Sequence, residues 1–271
     1  MAEITYKNYT YQLSELEHHY GKNVHIIACP VILTLLARLC RPETIQPEIT
    51  HLVRDLYKDL LYKVIAGEFP QAEAKVRTRM FTATPSGVWQ GNVLAHTTKA
   101  VTVGMARAGT LPSQVAFELL THLLNPDGVR QDHIYMNRVA NEAGEVVDIA
   151  VSGSKIGGDV ANAIVLFPDP MGATGRSMAQ AISIYKKMSQ VLPLKFIAIN
   201  LIATPEYLKY MATVHPDVII YTARLDRGLS SDEILQTPLG KHWQQEQGLN
   251  ERDYIVPGAG GVGEILNNAY V

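Results

Sequence analysis

The sequence is short of cysteine, of charge and of long apolar runs. Cys29 and Cys40 are the only cysteines among 271 residues, and no CxxC spacing joins them. A disulfide scaffold and a cysteine-built zinc site are thereby disfavoured, and both thiols are expected to be reduced core residues. Charged residues make up 18% of the chain and the formal net charge is −2, where ordinary globular chains carry roughly 25% charged residues. No basic field is available to attract nucleic acid or a membrane surface, so a phosphate ligand must be held by local donors. The nine histidines form no HxxxH or HExxH pair, and no metal site built from side chains alone is expected. The longest apolar run near the start, IIACPVILTLLA at 26–37, contains Pro30 and is too short to span a bilayer. MAEITYKNYT lacks the charged and apolar regions of a signal peptide. These absences lead to the expectation of a soluble cytoplasmic protein.

What is present is an alternation. Apolar residues at helical spacing predict helices over about 13–68, interrupted by Pro42 and Pro47, with Thr50 as a candidate cap. Residues 76–98 predict a β-hairpin arm around Pro85-Ser86-Gly87. From 99 to 228, short β-rich runs alternate with helix-length segments, and Asp132–Arg138 and Glu145–Ser152 flank a hairpin tip at 141–144. Residues 229–247 read as a polar surface insertion, and the chain closes with a glycine-rich segment that opens on a short apolar strand at Tyr254. The expected fold is α/β: one domain with a mostly parallel twisted sheet, helices on both faces, amino-terminal helices and a β-hairpin arm.

Chemistry is suggested first by AIVLFPDPMGATGRSMAQAI at 163–182. A buried strand, a tight loop and a helix follow one another, and ligands bind at such carboxyl ends of strands. A helix N-terminus offers free N–H groups to a phosphate. Gly172 and Gly175 permit close backbone approach, Thr174 and Ser177 add hydroxyls, and Asp169 is placed to accept from ribose hydroxyls. On spacing alone, an ordinary connection with Asp and Thr as turn residues fits equally.

Four segments carry a resemblance. DPMGATGRS at 169–177 resembles the DPMLATGGS run of uracil phosphoribosyltransferases, and VTVGMARAG at 101–109 resembles their strand ending in LRAG. IYMNRVANEAGEVVD at 134–148 is similar to the strand carrying YR, with Asn137 in place of Tyr. YIVPGAGGVGEI at 254–265 resembles YIVPGLGDAGDR. Gly172 stands where Leu is usual, Arg176 where Gly is usual, and Gly261 where the family carries Asp.

The resemblance implies that Asp169, Pro170, Met171, Gly172, Ala173, Thr174, Gly175, Arg176 and Ser177 bind the ribose 5-phosphate of phosphoribosyl pyrophosphate (PRPP). It implies that Arg107 and Arg138 contact the diphosphate, with Arg107, Arg138 and Asp169 as the catalytic set. Tyr254, Ile255, Gly260, Gly261 and Val262 would form the base pocket, where the family's Asp helps order the base and PRPP. Mg²⁺ would arrive on the diphosphate, and the chain would form a homodimer or higher homo-oligomer. The implied activity is pyrimidine salvage, making UMP from uracil and PRPP. Two rivals stand beside it: a PRPP- or nucleotide-binding regulatory relative with little catalysis, and a phosphoribosyltransferase for another base.

Overall fold

The computed structural model describes residues 5–140 and 146–270; the side chains of 137–140 and 146–150 lie outside the described residues. Along the chain come β1 (Val24–Ile26), α1 (Pro30–Leu39), α2 (Glu48–Glu68), β2 (Gln71–Arg77) and β3 (Val88–Leu94). Then follow β4 (Lys99–Ala106), α3 (Thr110–Leu123), β5 (Val129–Ala140), β6 (Val146–Lys155), β7 (Ala163–Pro168) and the two-residue β8 (Met171–Gly172). The last elements are α4 (Arg176–Met188), β9 (Lys195–Ala203), α5 (Pro205–Val214), β10 (Ile219–Leu225), α6 (Asp232–Leu235) and α7 (Val262–Asn267).

The main sheet has the order β1-β10-β9-β7-β4-β5-β6, with β8 added beside β9. Every pairing in it is parallel except β5 with β6. The interior strands are apolar on both faces because helices cover both. In β7, Ile164 and Leu166 join the core beneath α2 and α3, whereas Val165 and Phe167 join the core beneath α4 and α5. The expected α/β architecture is therefore the observed one.

Five local expectations are corrected. Residues 13–29 are not helical: they run along the sheet edge, where β1 pairs with β10 and Leu16 N–H donates to the Ile26 carbonyl at 2.8 Å. Pro30, at the first turn of α1, marks the true helix start. Thr50 lies inside α2, its hydroxyl bonded to Gln46 Oε1 at 2.7 Å, and Pro47 holds the cap position.

The hairpin is present but shifted, β2 pairing with β3 from Gln71–Leu94 to Arg77–Val88. Thr78 ends β2 early, because its hydroxyl accepts from Met80 N–H and caps a 3₁₀ turn at Arg79–Thr82. Tyr254–Gly260 is no strand. Pro257 has no N–H, and Gly258 and Gly260 take φ of +60° and +66°.

The stretch after β10 is more than a surface excursion. Glu246 and Arg227 are buried there and paired at 2.5 Å. Cys29 and Cys40 are free, half-buried and packed against the core. The hairpin tip expected at 141–144 lies outside the described residues. Among the described residues no helix is long and apolar enough to cross a membrane.

Candidate active site

Because β4, β7, β9 and β10 are parallel, the loops leaving their carboxyl ends gather at one edge of the sheet. The loop after β7 is pinned from both sides. Asp169 N–H donates to the Ile199 carbonyl at 3.0 Å, and the Asn200 amide donates back to the Asp169 carbonyl at 2.7 Å. Thr204 N–H reaches the Gly172 carbonyl at 3.1 Å, and the Thr204 hydroxyl reaches the Ala173 carbonyl at 2.7 Å. With its carbonyls tied to β9 and the start of α5, the loop turns toward α4.

Gly175 makes that turn in the left-handed region, φ +81°, which L side chains rarely adopt. The N–H groups of the first turn of α4 have no acceptor within the helix and carry its positive dipole end. Pro170, Gly172 and Gly175 are buried, Asp169, Met171, Ala173, Thr174 and Ser177 half-buried, and Arg176 exposed. Asp169, Met171, Ala173, Thr174, Gly175, Ser177, Met178, Asn200 and Tyr207 line a concavity of about 60 Å³.

Asn200 and Tyr207 were not singled out from the sequence. Both are buried, and Asn200 Oδ1 and the Tyr207 hydroxyl have no hydrogen-bond partner among the described residues. Burial, and then the nearby charge of Asp169, holds the Tyr207 and Tyr57 hydroxyls far above their ordinary pKa. Both remain protonated donors. Asn200 had a readable signal, as the lone polar residue of the strand FIAINLIA. Tyr207, in an amphipathic helix, had none.

Arg107 follows the last residue of β4, and its turn abuts the loop. A Cβ on Gly109 would lie 3.0 Å from the Pro168 carbonyl oxygen. Arg107 is exposed and Nη1 donates to the Ala269 carbonyl at 3.0 Å. Arg138 lies on β5 opposite Ile149, but its side chain lies outside the described residues.

The 254–262 segment reaches the same edge. Gly228 N–H donates to the Val256 carbonyl at 3.0 Å, and Gly258 N–H donates to Asp226 Oδ2 at 2.8 Å. Asp226 is buried and held by the Arg224 fork at 2.6 and 2.7 Å, while Arg224 Nη2 reaches the Gly258 carbonyl at 3.2 Å. A Cβ on Gly263, in α7, would lie 3.4 Å from Ala108 Cβ. The side chains of Ile255 and Val262 point into the apolar core, and Tyr254 is exposed. The loop, the Arg107 turn and the carboxy-terminal segment thus converge, although they are far apart in sequence.

The uracil phosphoribosyltransferase family model matches residues 26–242, which include both the 169–177 loop and the Arg107 turn. The chain belongs to the uracil phosphoribosyltransferase family. Among relatives named uracil phosphoribosyltransferase, that of Dictyoglomus turgidum is 29% identical over 90% of this chain and 98% of its own. That of Lactococcus lactis subsp. cremoris is 29% identical over 89% of this chain and 96% of its own. A solved structure of an Aquifex aeolicus protein matches in fold, with a TM-score of 0.69 at 23% identity over 92% of this chain and 99% of that one.

Proposed function

We propose that this protein transfers ribose 5-phosphate from PRPP to uracil, releasing pyrophosphate and giving UMP. The convergence of the 169–177 loop, the Arg107 turn and the 254–262 segment at one sheet edge carries this reading. The open amides at the start of α4, with Thr174 and Ser177, hold the 5-phosphate. Asp169 accepts from the ribose hydroxyls. The bond from C1 to the diphosphate oxygen lengthens ahead of attack, so C1 gains oxocarbenium character while negative charge grows on the leaving group.

Arg107, joined by Arg138, stabilises that charge through paired N–H donors. N1 of uracil then bonds to C1 and its proton leaves to solvent. No side-chain nucleophile is needed; alignment of the two substrates supplies the rest. The base is read by the backbone of 254–262, since Ile255 and Val262 spend their side chains on the core.

Among the described residues no group of three His, Cys, Asp or Glu is placed to hold a metal ion. Mg²⁺ would be carried by the substrate's own phosphates, the usual mode for this ion. Bound there, it would supply further positive charge against the departing diphosphate. A homodimer is proposed through the hairpin arm, where Val76, Met80 and Val93 are exposed.

Purified protein incubated with PRPP, Mg²⁺ and labelled uracil is expected to form UMP. No nucleotide at millimolar substrate rejects the activity, and a nucleobase panel run alongside identifies a different acceptor. One observation favours the regulatory reading: Arg107 is bonded to the Ala269 carbonyl near the chain's end. Calorimetric PRPP binding without turnover of any base decides for it.

A further inference from the structure

A buried donor and a buried acceptor beside the 169–177 loop are both left without a partner. The Tyr207 hydroxyl and Asn200 Oδ1 make no hydrogen bond among the described residues, although both residues are buried. Burial alone does not leave a hydroxyl bare: Tyr57, also buried, donates to the Ile199 carbonyl at 3.1 Å. An unpaired buried polar group costs stability, and such groups are as a rule paired.

The two groups are complementary and near each other. The protonated hydroxyl can donate, and a carboxamide oxygen can only accept. Both side chains border the concavity of about 60 Å³ that Asp169 also lines. Burial and the Asp169 charge raise the pKa of the Tyr207 hydroxyl, and the Asn200 amide beside it opposes them.

Each partner is fixed to a different point of the loop. Asn200 Nδ2 donates to the Asp169 carbonyl at 2.7 Å, at the loop's start. The Tyr207 ring bears on its middle and its end. A Cβ on Gly172 would lie 3.1 Å from Tyr207 Cδ1, and one on Gly175 would lie 3.3 Å from Tyr207 Cδ2. The gap between hydroxyl and carboxamide therefore follows the span of the loop from Asp169 to Gly175.

We propose that Tyr207 and Asn200 are positioning residues for the loop, the Tyr207 O–H closing onto Asn200 Oδ1 when the loop amides turn onto the 5-phosphate of PRPP. A bond unmade in the loop's present shape is then made, which favours the phosphate-bound shape over the present one. Part of the affinity for PRPP thus comes from two groups that do not touch it. This inference rests on the reading of the loop as a PRPP site, but not on turnover.

The test uses the full chain as wild type, Tyr207→Phe, Asn200→Ala and the two combined. Calorimetry with Mg²⁺ gives the Kd for PRPP, and unfolding midpoints are taken without PRPP. Tyr207→Phe keeps the ring against both glycines and removes only the hydroxyl. Its midpoint is expected to equal or exceed that of wild type, because an unpaired buried group is gone. Its Kd for PRPP is expected to rise roughly three- to tenfold, the worth of one neutral hydrogen bond. KM for PRPP is expected to rise with it while KM for uracil holds. Asn200→Ala also loses the Asp169 contact and is expected to bind PRPP more weakly still. Adding Tyr207→Phe to it is expected to cost nothing further, since the shared bond is already lost.

A wild-type Kd in Tyr207→Phe overturns the proposal, above all with a lowered midpoint, the mark of a purely structural hydroxyl. A full Tyr207→Phe effect in a folded Asn200→Ala chain overturns the pairing as well. If Asn200→Ala does not fold, Tyr207→Phe alone decides. A wild-type chain that binds no PRPP fails the proposed site and this inference together. A wild type that binds PRPP no better than Tyr207→Phe fails this inference alone.

Discussion

Tyr207 lies against the face of Gly172 where the related loops carry leucine. A Cβ on Gly172 would lie 3.1 Å from Tyr207 Cδ1 and 3.2 Å from Asn200 Cγ. The ring thus fills the volume that a larger residue in the loop would claim. Gly172→Leu is expected to destabilise the protein by about 1–3 kcal/mol through overpacking. Combined with Tyr207→Ala, it is expected to cost less than the sum of the two single changes, as a double-mutant cycle by urea unfolding will show.

Arg107 is the other decisive residue. If it grips the diphosphate, Arg107→Ala lowers kcat/KM roughly a hundredfold, the scale of removing one oxyanion donor. Arg107→Lys is expected to restore only part, because the fork that bonds two oxygens is lost. PRPP kinetics check both. At this scale the sequence was informative where a residue departs from its strand, as Asn200 does in FIAINLIA. Tyr207 was invisible because only the fold brings α5 beneath the 169–177 loop.

Elements were legible where periodicity switched cleanly. The strand–loop–helix at 163–188 was readable because apolar β7 gives way to amphipathic α4 across two glycines. The 13–29 stretch reads as helix in sequence because a three-residue edge strand leaves too short a pattern, and its pairing partner β10 is nearly two hundred residues away.

That stretch also carries a titration. His18 Nδ1 accepts from Tyr20 N–H at 3.3 Å while Nε2 lies 2.9 Å from the Val24 carbonyl, an arrangement only the neutral ring satisfies. Burial is the main cause of a folded-state pKa below the ordinary 6.5. The unfolded chain therefore takes the proton first as pH falls. The stabilisation is complete above about pH 6.5 and is lost as pH falls from there through the lower folded-state value. Urea midpoints at pH 7.5 and 5.5 are expected to differ more for wild type than for His18→Gln.

Across the whole molecule, the residues after β10 hold distant parts of the chain together. Glu246 takes Arg227 from the end of β10, the Tyr20 hydroxyl from the amino-terminal segment and the Gly240 N–H at 2.9 Å. Trp243 packs edge-on to Tyr20 and donates to the Pro205 carbonyl at 2.9 Å, so the start of α5 is joined as well. None of this was legible, because the composition of 229–247 is polar and polarity alone reads as surface. A buried ion pair is polar in sequence and interior in structure.

The consequence is measurable. Arg227 is buried, and its remaining partners are the Thr237 carbonyl at 2.6 Å and the Leu235 carbonyl at 3.5 Å, neither of which neutralises it. Glu246→Ala leaves that cation uncompensated and is expected to cost about 3–5 kcal/mol of unfolding free energy. Glu246→Gln keeps a hydrogen-bonding side chain for Gly240 and Tyr20 but not the charge, so it is expected to fall between Ala and wild type. Urea unfolding is expected to show the midpoints in that order with a common slope. Equal stability of all three chains would mean that this stretch is the peripheral insertion its composition suggests.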